Sequence, residues 1–122
     1  MKNKILIIED NDQNLYLVTF ILENNNFEVF TAQEGKIGIE IAVNTKPDLI
    51  LLDIQLPGMD GYTVARTLRL NPDLKKIPII AVTSYAMPGD REAALEAGCN
   101  GYIEKPIDPD TFIEKIIEHL AK

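Results

Sequence analysis

The chain is short of the residues that would staple it together or take it across a membrane. Its one cysteine, Cys99, cannot close an internal disulfide. The neighbouring Gly98, Asn100 and Gly101 supply no second thiolate or imidazole for a metal. It reads as a small buried hydrophobe of a reducing compartment. Positive charge is scarce, 12 Lys and Arg against 19 Asp and Glu for a net charge of -7. The clustered cations that draw a protein to a phosphate backbone are therefore missing, and direct nucleic-acid binding is not expected. Long apolar runs are missing too. The longest stop at Asp53 and Thr83, well short of the roughly 18 residues needed to cross a bilayer. The apolar stretch after residues 1–4 ends at Glu9-Asp10, too soon for a signal peptide. No membrane partner is expected, and a cytoplasmic location is.

What is present is a chain of single-domain length, 122 residues with 46% hydrophobic content, enough to bury one core. Short β-rich apolar runs at 4–8, 27–31, 48–53, 77–83 and 101–104 alternate with helical segments near 12–25, 33–45, 61–70, 88–97 and 109–121. In the last of these, Ile113, Ile116, Ile117 and Leu120 fall at i, i+3, i+4 and i+7 and predict one buried stripe. The only histidine, His119, lies on the same segment and is expected to be solvated. The runs Leu49-Ile50-Leu51-Leu52 and Ile79-Ile80-Ala81-Val82 are apolar at every position, which suits parallel strands covered on both faces. Alternating β and α units joined by right-handed crossovers predict an α/β fold with a doubly wound parallel sheet. Ligands of such sheets sit beyond the carboxyl ends of the strands.

Those ends carry the chain's most telling polar groups. The first strand runs into Glu9-Asp10-Asn11-Asp12, the third into Asp53, the fourth into Thr83-Ser84 and the fifth into Lys105-Pro106. In a parallel sheet Glu9, Asp10 and Asp53 converge, and three close carboxylates call for a compensating cation. Mg2+ needs few protein ligands and keeps room for waters and phosphate oxygens. A carboxylate beside it can act as nucleophile toward a phosphoryl group, provided other groups neutralise the transferred oxygens. Lys105 offers a positive charge and Thr83 a hydroxyl for that purpose. Taken singly, each residue has a plainer explanation. Asp10 or Asp12 before a helix looks like an N-cap, Asp53 like a turn residue, Thr83 like ordinary strand composition and Lys105 like any surface lysine. Only their conjunction at four strand ends is specific.

The conjunction resembles the receiver domain of two-component response regulators, and the likeness runs from Lys4 to the last helix. Glu9-Asp10, Asp53 within the segment 48–61, Thr83 and Lys105-Pro106 all stand where that family has its motif. The resemblance implies one receiver domain over residues 1–122, with a flavodoxin-like (βα)5 fold and strand order 2-1-3-4-5. A chemotaxis receiver of this fold class has that order. It further implies Mg2+ held by Asp10, Asp53 and the backbone carbonyl of Gln55, with Glu9 acting through water. Asp53 is then the phosphoacceptor, assisted by Lys105 and Thr83, and the Lys105-Pro106 bond is cis. Tyr102 is the aromatic that turns inward with Thr83, while Gln55 and Tyr85 tune dephosphorylation.

By the same resemblance the chain is a signalling switch rather than an enzyme, although it catalyses its own phosphorylation and dephosphorylation. Its phosphate comes from a sensor histidine kinase or a histidine phosphotransfer protein. A downstream protein reads the surface of the fourth helix, fifth strand and fifth helix. Phosphorylation adds about 1.5 to 2 negative charges. A few new charge-assisted hydrogen bonds of about 1.5 to 3 kcal/mol each match the roughly 5.5 kcal/mol that inverts a 1:99 population. A stand-alone regulator is the simplest expectation, with a receiver domain excised from a hybrid histidine kinase or larger regulator as the alternative. A flavin carrier of this fold class would need a glycine- and hydroxyl-rich loop where Glu9-Asp10-Asn11-Asp12 stands. An aspartyl-phosphate phosphatase would need an acid where Gln55 stands. A purely structural module would leave the four strand ends without a shared purpose.

Overall fold

The computed structural model describes residues 2–84 and 87–121. Tyr85 lies outside the described residues. Five strands, β1 (Lys4–Ile8), β2 (Glu28–Ala32), β3 (Leu49–Asp53), β4 (Ile79–Thr83) and β5 (Gly101–Glu104), alternate with α1 (Asp12–Asn24), α2 (Gly35–Thr45), α3 (Gly61–Leu70), α4 (Asp90–Ala97) and α5 (Pro109–Leu120). All the strand pairings are parallel, in the order β2-β1-β3-β4-β5. The sequence-based boundaries move by at most two residues. A 3-10 turn, Pro72–Leu74, follows α3.

The two-residue period of the strands divides the core in two. Leu6 and Ile8, Ile50 and Leu52, and Ile79 and Ala81 face a layer completed by Ala42, Val64, Ala65, Leu68, Ala94 and Ala97 of α2, α3 and α4. Ile5 and Ile7, Leu49 and Leu51, and Ile80 and Val82 face Val18, Ile21 and Leu22 of α1 and Phe112 and Ile116 of α5. Every residue of β3 and β4 is buried, as expected of central parallel strands with helices on both sides.

Two expectations for the last helix are corrected. Phe112 and Ile116 are its buried pair, while Ile117 is 54% exposed. The helix is rotated so that the large ring of Phe112, which the apolar stripe left out, fills the layer against β1 and β3. His119 is half-buried rather than solvated. Its imidazole lies so close over β5 that a Cβ on Gly101 would stand 2.7 Å from Nε2.

Helix starts are set by short polar side chains accepting orphan amides. Asn11 caps α1 by accepting from Asn14 N, Asp60 caps α3 by accepting from Thr63 N, and Asp108 caps α5 by accepting from Asp110 N. The cap of α1 is therefore neither Asp10 nor Asp12, and the simpler explanation of those two acids falls away.

Candidate functional site

Strand register assembles the site. Ile8 pairs with Leu52, so the next residues, Glu9 and Asp53, emerge side by side from β1 and β3. Counting back in twos along each strand from them (Ile7 and Ile5, Leu51 and Leu49) places both on the α1/α5 side of the sheet. Asp53 pairs with Val82 and Thr83 with Glu104, which brings the last residue of β4 beside Asp53 and places Lys105 directly beyond β5. Lys105 N donates to Thr83 O at 2.8 Å, and the Lys105–Pro106 peptide is cis.

Carboxylate oxygens of Glu9, Asp10 and Asp53 lie within 4.8 Å of one another. Glu9 and Asp53 are 4% and 5% exposed, whereas Asp10 opens to solvent. Lys105 Nζ faces the buried pair, 2.6 Å from Glu9 Oε1 and 3.5 Å from Asp53 Oδ2. Backbone amides orient both acids. Gln55 N donates to Asp53 Oδ1 at 2.9 Å and Asn11 N donates to Glu9 Oε2 at 3.2 Å. Asp53 thus makes the turn bond that sequence allowed for, and still directs its second oxygen at the lysine. Below the acids the floor is apolar, formed by Ile7, Val18, Leu51, Val82, Ile107 and Phe112. Burial there holds the Glu9 carboxyl above its ordinary value of 4.5. Asp53 pushes in the same direction and Lys105 opposes them.

Thr83 is 2% exposed at the end of β4. By strand alternation it belongs to the other side of the sheet, with Ile79 and Ala81, where Tyr102 also packs against the α2/α3/α4 layer. The Tyr102 hydroxyl is buried without a hydrogen-bond partner among the described residues. Sequence reasoning missed the amide of Asn11 and also Gly61. A Cβ at Gly61 would lie 2.5 Å from Ile54 Cα and 2.7 Å from Asp53 O, so a side chain there would displace the backbone that carries Asp53. The signal available in sequence was Gly61 at the close of the Pro57-Gly58-Met59-Asp60 loop.

Three carboxylates against one ammonium form an oxygen-rich, net negative pocket at the carboxyl edge of a doubly wound sheet. A hard divalent cation fits that donor set. Residues 5–117 match the family model of the response regulator receiver domain, and the chain belongs to that family of phosphoacceptor signalling domains. It is 40% identical over 121 residues to the polar-differentiation response regulator DivK of Brucella anthropi, covering 99% of this chain and 98% of the relative. Among solved structures, it is similar to the receiver domain of the sensor histidine kinase PA1611 from Pseudomonas aeruginosa PAO1, at a TM-score of 0.93 and 31% identity with both chains fully covered. That structure has a magnesium ion coordinated in its active site cleft. A CheY-like response regulator receiver domain protein from Methanospirillum hungatei JF-1 superposes at a TM-score of 0.91 with 34% identity, over 99% of this chain and 95% of the other. No helix among the described residues is long and apolar enough to cross a membrane.

Proposed function

We propose that residues 1–122 work as one receiver domain in which Asp53 is the phosphoacceptor. The carrying observation is the meeting of Glu9, Asp10 and Asp53 around one locus with Lys105 facing them. Asp10, Asp53 and the backbone carbonyl of Gln55 would hold Mg2+, with Glu9 acting through water. The bound ion supplies positive charge that offsets the carboxylates and the phosphoryl oxygens.

An Asp53 oxygen attacks phosphorus while the bond from phosphorus to the donor's imidazole nitrogen breaks, and the electron pair leaves with that nitrogen. Lys105 holds positive charge against the transferred oxygens, and Thr83 donates its hydroxyl to one of them. The amide of Gln55, bonded to Asp53 Oδ1, keeps the carboxylate turned for attack by its other oxygen.

The donor is a phosphohistidine on a sensor histidine kinase or a histidine phosphotransfer protein. The helix beginning at the rim of the site suits its docking, because α1 exposes Tyr16, Leu17 and Phe20, with Tyr16 and Phe20 stacked at 6.5 Å between ring centroids. The output is a change at the surface of α4, β5 and α5, coupled through Thr83 and Tyr102 and read by a protein in the cytoplasm. The chain is a signalling protein whose catalysis is confined to its own phosphoryl group. A receiver domain of a hybrid kinase is the second reading, favoured by the likeness to the PA1611 receiver, and its site chemistry is the same.

The test is intact mass after incubation with acetyl phosphate and Mg2+. One added phosphoryl group is expected, absent in Asp53→Asn and absent with a chelator. Transfer that persists in Asp53→Asn, or none in the unaltered chain, removes Asp53 from this role.

A further inference from the structure

Helix α4 is short and nearly featureless on its inner side, where Ala94 and Ala97 are buried and Leu95 is 48% exposed. Two side chains of α3, seven residues apart and so on one face of that helix, tie it down at its two ends. Near the end of α3, Arg69 donates through Nε to Gly98 O at 2.9 Å and through Nη2 to Asn100 Oδ1 at 2.7 Å. Its Nη1 meets the carbonyls of Leu74, Lys75 and Ile77 at 3.0, 3.1 and 2.7 Å. At the start of α3, Tyr62 makes a single bond among the described residues, its hydroxyl donating to Asp90 Oδ1 at 3.3 Å. The other oxygen of Asp90 accepts from Met87 N at 2.8 Å and closes the first turn of α4.

The two ties differ in strength for physical reasons. Arg69 is a charged fork with five acceptors and cannot be displaced by losing any one of them. The Tyr62 bond is long, solitary among the described residues, and at the end of the helix that lies toward the phosphoacceptor side of β4. We propose that α4 is a lever with a fixed pivot at Gly98 and a releasable latch at Asp90, and that Tyr62 sets how readily the first turn of α4 parts from α3. The latch opposes the change that a phosphoryl group at Asp53 drives through Thr83, and this last part rests on the function proposed above. The buried Tyr102 hydroxyl, unpartnered among the described residues, lies in the same layer. Its proton is held more tightly than in an ordinary tyrosine, first by burial and then by Asp90.

Amide hydrogen exchange on the unphosphorylated protein, residue by residue, decides the latch. Tyr62→Phe keeps the ring and removes the hydroxyl. Its Asp90 and Ala93 amides, which bond Met87 O and Gly89 O, are expected to exchange roughly 2- to 12-fold faster, the range of one net hydrogen bond. The Gly98 and Cys99 amides, bonded to Leu95 O and Ala94 O, are expected to keep their rates. An unchanged Ala93 amide, or an equal rise at Cys99, overturns the lever. The initial rate of phosphorylation by acetyl phosphate with Mg2+ is expected to rise in Tyr62→Phe, and an unchanged rate with an opened latch overturns the coupling. Absence of phosphorylation in both proteins counts against the proposed function instead, and exchange alone then decides the lever.

Discussion

Lys105→Met tests whether the ammonium holds the acidic pocket together. The substitution keeps most of the side chain's volume and removes the charge that lies 2.6 Å from Glu9 and 3.5 Å from Asp53, both with side chains 6% exposed or less. Removing one partner of a buried ion pair costs about 3–5 kcal/mol, because the charge left behind is buried with no opposite charge beside it. At about 4 °C per kcal/mol for a chain of this size, the metal-free variant is expected to melt about 12–20 °C below the parent. A divalent ion restores the missing positive charge, and at 100 times its dissociation constant it contributes about 2.7 kcal/mol. Saturating Mg2+ should therefore recover most of the loss, and should raise the melting temperature of the variant more than that of the parent. The pH dependence has a definite sign. Glu9 binds its proton more tightly in the folded chain than at its ordinary 4.5. Its contribution to metal-free stability is thus fully present below that value and is lost as pH rises through the folded value. In Lys105→Met the opposing attraction is gone and the fall extends to higher pH. Thermal melts in chelator and in Mg2+, each at two pH values, supply all the quantities. An equal loss with and without Mg2+, or no loss in chelator above neutral pH, would refute the charge argument.

Gly61→Ala is expected to destabilise the fold by about 1–3 kcal/mol and to slow phosphorylation of Asp53, because the clash is with the backbone of Asp53 and Ile54. Denaturant melts paired with acetyl phosphate kinetics check both, and normal kinetics in a folded variant would count against the positioning role. Cys99 is 6% exposed and burial pushes its thiol up to about 11. Alkylation at pH 8 should accordingly run about 100-fold slower in the native protein than in urea on thiolate fraction alone, and comparable rates would contradict its burial. Arg69→Leu takes a donor from five acceptors, of which Asn100 Oδ1 keeps Ile79 N and Leu74 O keeps Ile77 N, and is expected to cost about 3 kcal/mol or more. A melting temperature within about 2 °C of the parent would show those bonds to be dispensable.

The fold and the outline of the site were legible for the same reason. Apolar residues at every position of 49–52 and 79–82 mark central strands, and in parallel strands whatever follows the last apolar residue collects at one edge. That rule brings Glu9, Asp53, Thr83 and Lys105 to the same edge from positions up to 96 residues apart. The residues it missed act through backbone or through partners that no local pattern names. Asn11 contributes an amide, Gly61 contributes the absence of a Cβ, and Arg69 bonds carbonyls brought to it by the turn at Pro72–Leu74 and by the start of β5.

Periodicity and strand-end chemistry, which depend on neighbours a few residues away, are properties of the sequence by itself. They determined the order of elements, the burial of the sheet on both faces and the class of chemistry at its edge. Tertiary structure decided the rotation of α5, where Phe112 rather than Ile117 is buried, and the capping of α1 by Asn11. It also decided the choice of Glu9 as the nearer partner of Lys105, and the unequal ties on α4. Each of these turns on which of several locally equivalent side chains meets a surface supplied by a distant segment, and that surface exists only once the chain has folded.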